Sequence, residues 1–248
     1  MIRPALPRPS RFAAAFAVAS FALLAGCNVT TPAPAGGTVA ARSDSERVGR
    51  HTGGRSVTPV NQIITPLGRV VELPGLRPQA LALTPDGRSL LVSGKTSELL
   101  VVDPASGEIR QRVALPNEKQ SEPQPAVASA NFLDPDRKGQ ASFTGLVVSA
   151  DGRRVYLSNV NGSIKVFAVA PDGSVAPSHS IALPPAGAPR RKEDIPSGLA
   201  LSRDGVLLYV CANLSNRLLE VETATGQVRR TFNTGVAPYD VVLAGNRA

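Results

Sequence analysis

Few residues of this 248-residue chain have the type and spacing that chemistry requires. Asp134-Pro135-Asp136-Arg137-Lys138-Gly139 begins like a calcium loop, with acids at positions one and three and Gly at six. Position twelve falls on Gly145, where bidentate coordination needs Glu, so the run reads as a surface turn. Gly94-Lys95-Thr96 ends like a phosphate loop, but Ser89 stands where the first Gly belongs and no helix follows. The chain has only two His and two Cys. His51 lies in a polar N-terminal stretch, and His179 is expected at the outer edge of a sheet. Neither has a partner that would make a metal site or a base–nucleophile pair. Cys211 sits in a buried strand and reads as a small, inert core residue. No metal and no cofactor are expected.

Cys27 differs from these. Residues 1–11 are basic and Pro-rich, and residues 12–26 form an apolar run of 15. A spanning helix needs about 20 such residues, whereas signal-peptide cores need fewer. The run ends in Leu24-Ala25-Gly26-Cys27, which resembles the lipobox of bacterial lipoproteins at all four positions. The resemblance implies removal of residues 1–26 and acylation of Cys27 on its thiol and its new amine. Two or more chains give stable membrane anchoring where one chain does not. A lipid-anchored place in the bacterial cell envelope, periplasmic or at the outer surface, follows as an expectation. Residues 27–60 are rich in Thr, Ala, Pro, Gly, Ser and Arg, and read as a disordered tether.

The elements that must position any site come from a repeat. Gly and Pro number 22 each, which argues against a helix bundle and for many short elements joined by turns. Residues 79–114, 144–182 and 197–232 share one pattern. An apolar run ends in Thr or Ser and is followed by Pro85-Asp86-Gly87, Ala150-Asp151-Gly152 or Arg203-Asp204-Gly205. Asp-Gly between apolar runs marks a hairpin, because Gly takes positive φ without penalty. Second, third and fourth strands follow in each unit. Four antiparallel strands in about 40 residues make a propeller blade. The fold expected is all-β: an incomplete β-propeller of three full blades (76–115, 143–183 and 197–235). Partial blades at 61–75, with two strands around a Thr-Pro-Leu-Gly turn, and at 236–248 flank them.

Val155-Tyr156-Leu157-Ser158-Asn159 and Leu208-Tyr209-Val210-Cys211-Ala212-Asn213 resemble the repeat of YVTN-type β-propellers; Leu91-Val92-Ser93-Gly94 departs from it. Ile64-Thr65-Pro66-Leu67-Gly68-Arg69-Val70-Val71-Glu72-Leu73 resembles the opening of propellers that precede an alkaline-phosphatase-like phosphoesterase domain. Propellers usually close with about four to eight blades. Three full and two partial blades leave open apolar sheet faces. The chain is therefore expected to be a fragment of a longer protein or an early-terminated product. The alternative is self-association of two copies through the open ring edges.

Long loops on a rigid scaffold often carry function, and two insertions, 116–142 and 184–196, cross one face of the disc. Ligand-binding candidates at the mouth of the first strands are Arg77, Gln79, Thr144, Ser197 and Tyr239. Asn159, Asn161, Asn213 and Asn216, in the turns after the second strands, form a further set. For all nine, a turn or cap role competes. A net charge of +8 is scattered, and Arg190-Arg191-Lys192 is followed at once by Glu193-Asp194. No basic patch forms, so nucleic acid is not an expected partner. The leading function is an envelope-anchored binding or scaffold module for a protein or polymer. The rival is an enzyme: a lactonase-like propeller hydrolase, or the propeller part of a phosphoesterase protein. Asp240 is the one carboxylate on the channel-lining first strands, which weighs against the hydrolase.

Overall fold

The computed structural model describes residues 46–121, 134–245 and 247–248. The signal-like segment, Cys27 and most of the tether lie outside the described residues. Fifteen strands follow one another with no α-helix among the described residues. Three short ones, β1 (Gly49–Arg50), β2 (Ser56–Val57) and β3 (Ile63–Ile64), pair antiparallel in one small sheet. The first blade is β4 (Pro78–Leu83), β5 (Leu90–Gly94), β6 (Glu98–Val102) and β7 (Ile109–Ala114). The second is β8 (Ala141–Val148), β9 (Arg154–Asn159), β10 (Ser163–Val169) and β11 (Val175–Ala182). The third is β12 (Pro196–Leu201), β13 (Leu207–Ala212), β14 (Arg217–Glu222) and β15 (Val228–Asn233). Each is a four-stranded antiparallel meander, so the chain is built of propeller blades, and the described residues do not close a ring.

The Asp-Gly turns are one device used three times. Thr84, Ser149 and Ser202 donate through their hydroxyls to Oδ1 of Asp86, Asp151 and Asp204, each at 2.6 Å. The same carboxylate oxygen accepts the backbone N–H of Arg88, Arg153 and Val206. The hydroxyl in turn accepts the N–H of Ser89, Arg154 and Leu207, closing the hairpin. Gly87, Gly152 and Gly205 follow at φ near +71°, where a side chain would be strained. The loop is therefore longer than a two-residue hairpin, because the Thr or Ser hydroxyl replaces a ladder hydrogen bond.

Adjacent blades pack face to face. Leu91, Leu99 and Val101 of the first blade meet Leu146, Val155, Leu157 and Phe167 of the second in one core. Tyr156, Ile164, Val166 and Ile181 of the second meet Leu199, Leu208, Val210, Leu219 and Val221 of the third in another. Strand alternation sends successive side chains to opposite faces, which is how one blade feeds two cores. Gly145 and Gly198 lie where neighbouring inner strands nearly touch. A Cβ on Gly145 would collide with Ser158 Oγ and the Ser197 carbonyl, and one on Gly198 with Asp240.

Three details differ from the sequence reading. The tether does not extend to residue 60: β1 and β2 lie within it, because backbone pairing needs no large side chains and Val57 is buried. Residues 61–75 hold one strand, β3, and not two about the Thr-Pro-Leu-Gly turn; Leu73 and Leu76 instead pack on Val92, Leu100 and Val102 of the first blade. The described residues of 236–248 form no strand; Gly198 N–H donates to the Tyr239 carbonyl at 2.8 Å, but no ladder forms beside it. His179 lies on the outermost strand of its blade, as the sequence indicates, and is 4% exposed. It shares a face with Ile181, against the third blade.

Burial, then the nearby Arg154 guanidinium, pushes His179 down to about 4 from its usual 6.5. The unfolded chain takes up that proton near 6.5, so acidification draws protons to the unfolded state. Stability is thus expected to fall between pH 6.5 and about 4, after which both states carry the proton. The turn carboxylates Asp86, Asp151 and Asp204 lie below 3.8, chiefly through the Thr84, Ser149 and Ser202 hydroxyls. A further loss begins as pH drops through 3.8. Urea midpoints across pH 7 to 3 should show both steps, with His179→Gln removing the first. A midpoint constant from pH 6.5 to 4 would contradict the burial of neutral His179.

Candidate functional site

The inner strands β4, β8 and β12 all begin on one side of the blades. The described parts of the connections, 115–121, 134–140 and 183–195, and the turns after β5, β9 and β13 lie on that same side. The Asp-Gly turns lie on the other. All nine binding candidates therefore fall on the first side, but the structure divides them into two groups.

The four asparagines are clasps. Asn159 is fully buried; its Oδ1 accepts the Gln140 N–H at 2.8 Å, and its Nδ2 donates to Glu118 Oε1 and Ser163 Oγ. Asn161 Nδ2 donates to the Lys138 carbonyl at 3.1 Å. Asn213 Nδ2 donates to the Pro238 carbonyl, and Asn216 Oδ1 accepts the Ala237 N–H. Each ties a connecting segment to the turn of a blade. Ser197 belongs with them: it is fully buried and donates to the Pro238 carbonyl at 2.8 Å.

The others face the mouth. Arg77 and Gln79 are exposed, and Tyr239 keeps 53% of its surface. Thr144 Oγ1 is buried without a hydrogen-bond partner among the described residues. Beside it Phe143, absent from the sequence reading, adopts φ +43°, a genuine strain for a bulky residue. The cause is a bulge in β8: Ala141 pairs with Asn159 and Leu146 with Leu157, so five steps on one strand match two on the other. The corresponding bulges of β4 and β12 absorb one residue each. The larger bulge turns Phe143 edge-on to Tyr239, with ring centroids 5.3 Å apart. An aromatic pair on this side of the blades can hold an apolar or ring-bearing surface by stacking.

The insertion is held beside this mouth by a residue that the sequence reading also missed. Lys165, in the middle of β10, is fully buried. Its Nζ donates to Glu118 Oε1 and Asp136 Oδ2, both at 2.9 Å, to the Pro116 carbonyl at 2.7 Å and to Ser180 Oγ at 3.1 Å. Glu118 Oε1 also accepts from Ser163 Oγ. Asp136, an acid position of the calcium-like run, is thus turned inward to a cation, and its other oxygen caps Lys138 and Gly139 N–H. Asp134 accepts from Asn117 Nδ2 at 2.5 Å. A lone Lys between Ile164 and Val166, in the blade that follows an insertion with four acids, was the available signal. Alternation alone reads such a Lys as solvent-facing.

Among the described residues no three His, Cys, Asp or Glu converge as metal ligands. His51 Nε2 lies 2.6 Å from the Arg47 carbonyl, far in sequence and fold from His179. Asp240 Oδ1 accepts the Val241 N–H. Cys211 is a free, buried thiol that burial, and then Asp240, push up to about 11. Also among the described residues, no helix is long and apolar enough to cross a membrane.

No family model matches the chain, and no curated protein matches it. Solved structures do. One is the hydrazine synthase of Kuenenia stuttgartiensis, with 19% identity over 73% of this chain and 43% of that one, and a TM-score of 0.50. Another is the periplasmic gluconolactonase PpgL of Pseudomonas aeruginosa, at 24% identity, 69% and 43% coverage and a TM-score of 0.46. The WD40 repeats of RRP9 align at 16% identity, 66% and 41% coverage and a TM-score of 0.49. The chain spans less than half the length of each of these three. The likeness is one of fold, and the fold is that of β-propeller blades.

Removing one partner of a buried ion pair leaves the other charge uncompensated, at a cost of about 3–5 kcal/mol. Lys165→Met is expected to destabilise the chain by about that much and to open the segments around 116–121 and 134–140 to protease. Lys165→Met with Asp136→Asn and Glu118→Gln should recover part of the loss. Unchanged urea unfolding in the single variant would show that the Lys165 contacts do not hold the insertion.

Proposed function

We propose that the chain is a lipid-anchored β-propeller module of a bacterial cell envelope that binds a protein or polymer at the mouth of its inner strands. The observation that carries this reading is the Phe143–Tyr239 pair. Phe143 is held in a strained backbone, and Tyr239 remains half-exposed where it could have been covered. Strain persists only where the surrounding structure enforces it, and such sites cluster where ligands are met. Gln79 and Arg77, at the start of β4, add exposed polar groups on the same side of the blades. Asn159, Asn161 and Lys165 fix the neighbouring segments 116–121 and 134–140, and ordered neighbours lower the entropy lost on binding. The Leu24-Ala25-Gly26-Cys27 pattern supports the anchor, with Cys27 as the lipidated residue. Non-catalytic binding suits this side, where Asp240, beside β12, accepts the backbone N–H of Val241.

Two measurements test the reading. Cys27→Ala should move the chain from the membrane to the soluble envelope fraction; unchanged fractionation would remove the anchor. A photo-crosslinker placed at Gln79 should capture an envelope component in the native background. The yield should fall about tenfold in Phe143→Ala/Tyr239→Ala, as expected when two stacking side chains are lost. Equal capture with the crosslinker at exposed Arg88, on the opposite face, would contradict a binding mouth.

A further inference from the structure

The opposite face carries a second feature, independent of the mouth. Between the Asp-Gly turns of the second and third blades lies a pocket of about 330 Å³. Arg154, Tyr156, Arg203, Asp151, Asp204 and Thr223 contribute to its walls. Arg154 opens β9, and its Nη1 is buried with no hydrogen-bond partner among the described residues. The other buried charges among the described residues have hydrogen-bond partners. Lys165 meets two carboxylates, and Glu220 accepts from Tyr209 and Arg230. A buried guanidinium donor with no acceptor is costly, and natural structures keep such a group where something else supplies the acceptor.

The repeat shows that the turn itself does not require this arginine. The hairpin closes on the backbone N–H and carbonyl of the residue, not on its side chain. At the same position the first blade has Ser89 and the third Leu207, each making the same backbone bond to the turn hydroxyl. The arginine is therefore particular to the second blade, one of the two whose turns border this pocket. Arg203, exposed on the facing turn, brings a second guanidinium to the rim. Asp151 and Asp204 each have Oδ1 bound by a turn hydroxyl and a backbone N–H. Their presence disfavours a polyanion. Tyr156 adds a hydroxyl from a largely buried ring.

We propose that this pocket binds a small molecule bearing one oxyanion group, a carboxylate or a phosphate, seated on Arg154 and steered by Arg203. Arginine presents a rigid fork of donors suited to both anions. Asp151 and Asp204 then select hydroxyl or ammonium groups on the rest of the molecule. The volume lies at the small end of ligand pockets, which fits a ligand of metabolite size and not a polymer.

The test uses thermal unfolding of the signal-less chain in acetate and in inorganic phosphate, each against chloride at equal ionic strength. Ligand that binds only the folded state raises Tm with concentration. The wild-type chain should respond to acetate, to phosphate or to both, and the pattern identifies the oxyanion. Arg154→Leu should unfold no lower than wild type without ligand, since it removes an unmatched donor, and should lose the response. Arg203→Gln, at an exposed position, should keep the fold and weaken binding about tenfold. An undiminished response in Arg154→Leu, or no response of the wild type to either anion, would overturn the proposal.

Discussion

A four-stranded blade is apolar on both faces, so only another blade-like layer can cover it. Everything else in the molecule depends on that constraint. It requires inner strands to approach closely, which is why Gly145 and Gly198 carry no side chain where Ser158, Ser197 and Asp240 press against them. It also explains the hydrogen bonds that pass between blades: Ser142 Oγ to the Pro196 carbonyl at 2.5 Å and Ser158 Oγ to the Ser197 carbonyl at 2.7 Å. Repeat positions show the effect directly. Leu146 and Leu199 are 9% and 8% exposed, whereas Leu81, at the same place on the first blade, is 63% exposed. Each such leucine forgoes about 2 kcal/mol of burial. On the far side of the third blade, Tyr209, Glu220 and Arg230 occupy the positions that Tyr156, Val166 and His179 fill against a neighbour.

The stacking leaves two faces with different chemistry. Connections between blades gather on one, where Lys165 and the asparagines hold them and the aromatic pair stands beside them. Tight turns gather on the other, where hydroxyl–carboxylate contacts fix the backbone and leave narrow grooves between blades. A binding surface for a large partner suits the first face, and a small pocket suits the second. Neither face depends on the other for its geometry, because each is fixed by bonds within one or two blades.

Much of this architecture was legible in the residues. The Asp-Gly turns, their preceding Thr or Ser, and the apolar runs on either side mark the three four-strand units and the order of strands within them. What escaped has a physical pattern. Phe143 depends on a bulge, which shifts pairing without any mark in composition. Lys165 is buried by carboxylates about 30 and 47 residues distant, so its neighbours in sequence misstate its surroundings. The asparagines were visible as polar turn residues, but their partners, Gln140, Lys138, Pro238 and Ala237, lie in connecting segments whose path no periodicity records. Residues 61–75 and 236–248 read as strands from their side chains, yet a strand exists only where a partner offers its backbone.

The close approach of the inner strands is the feature to test first. Gly145→Ala adds one methyl group where Ser158 and Ser197 leave no room. Equilibrium urea unfolding should show a loss of about 1–3 kcal/mol, with hydrogen exchange accelerated on both sides of the interface between the second and third blades. Gly235→Ala, where nothing lies near the added carbon, serves as the control and should change little. A Gly145→Ala chain as stable as the control would contradict the stacking of blades through their inner strands.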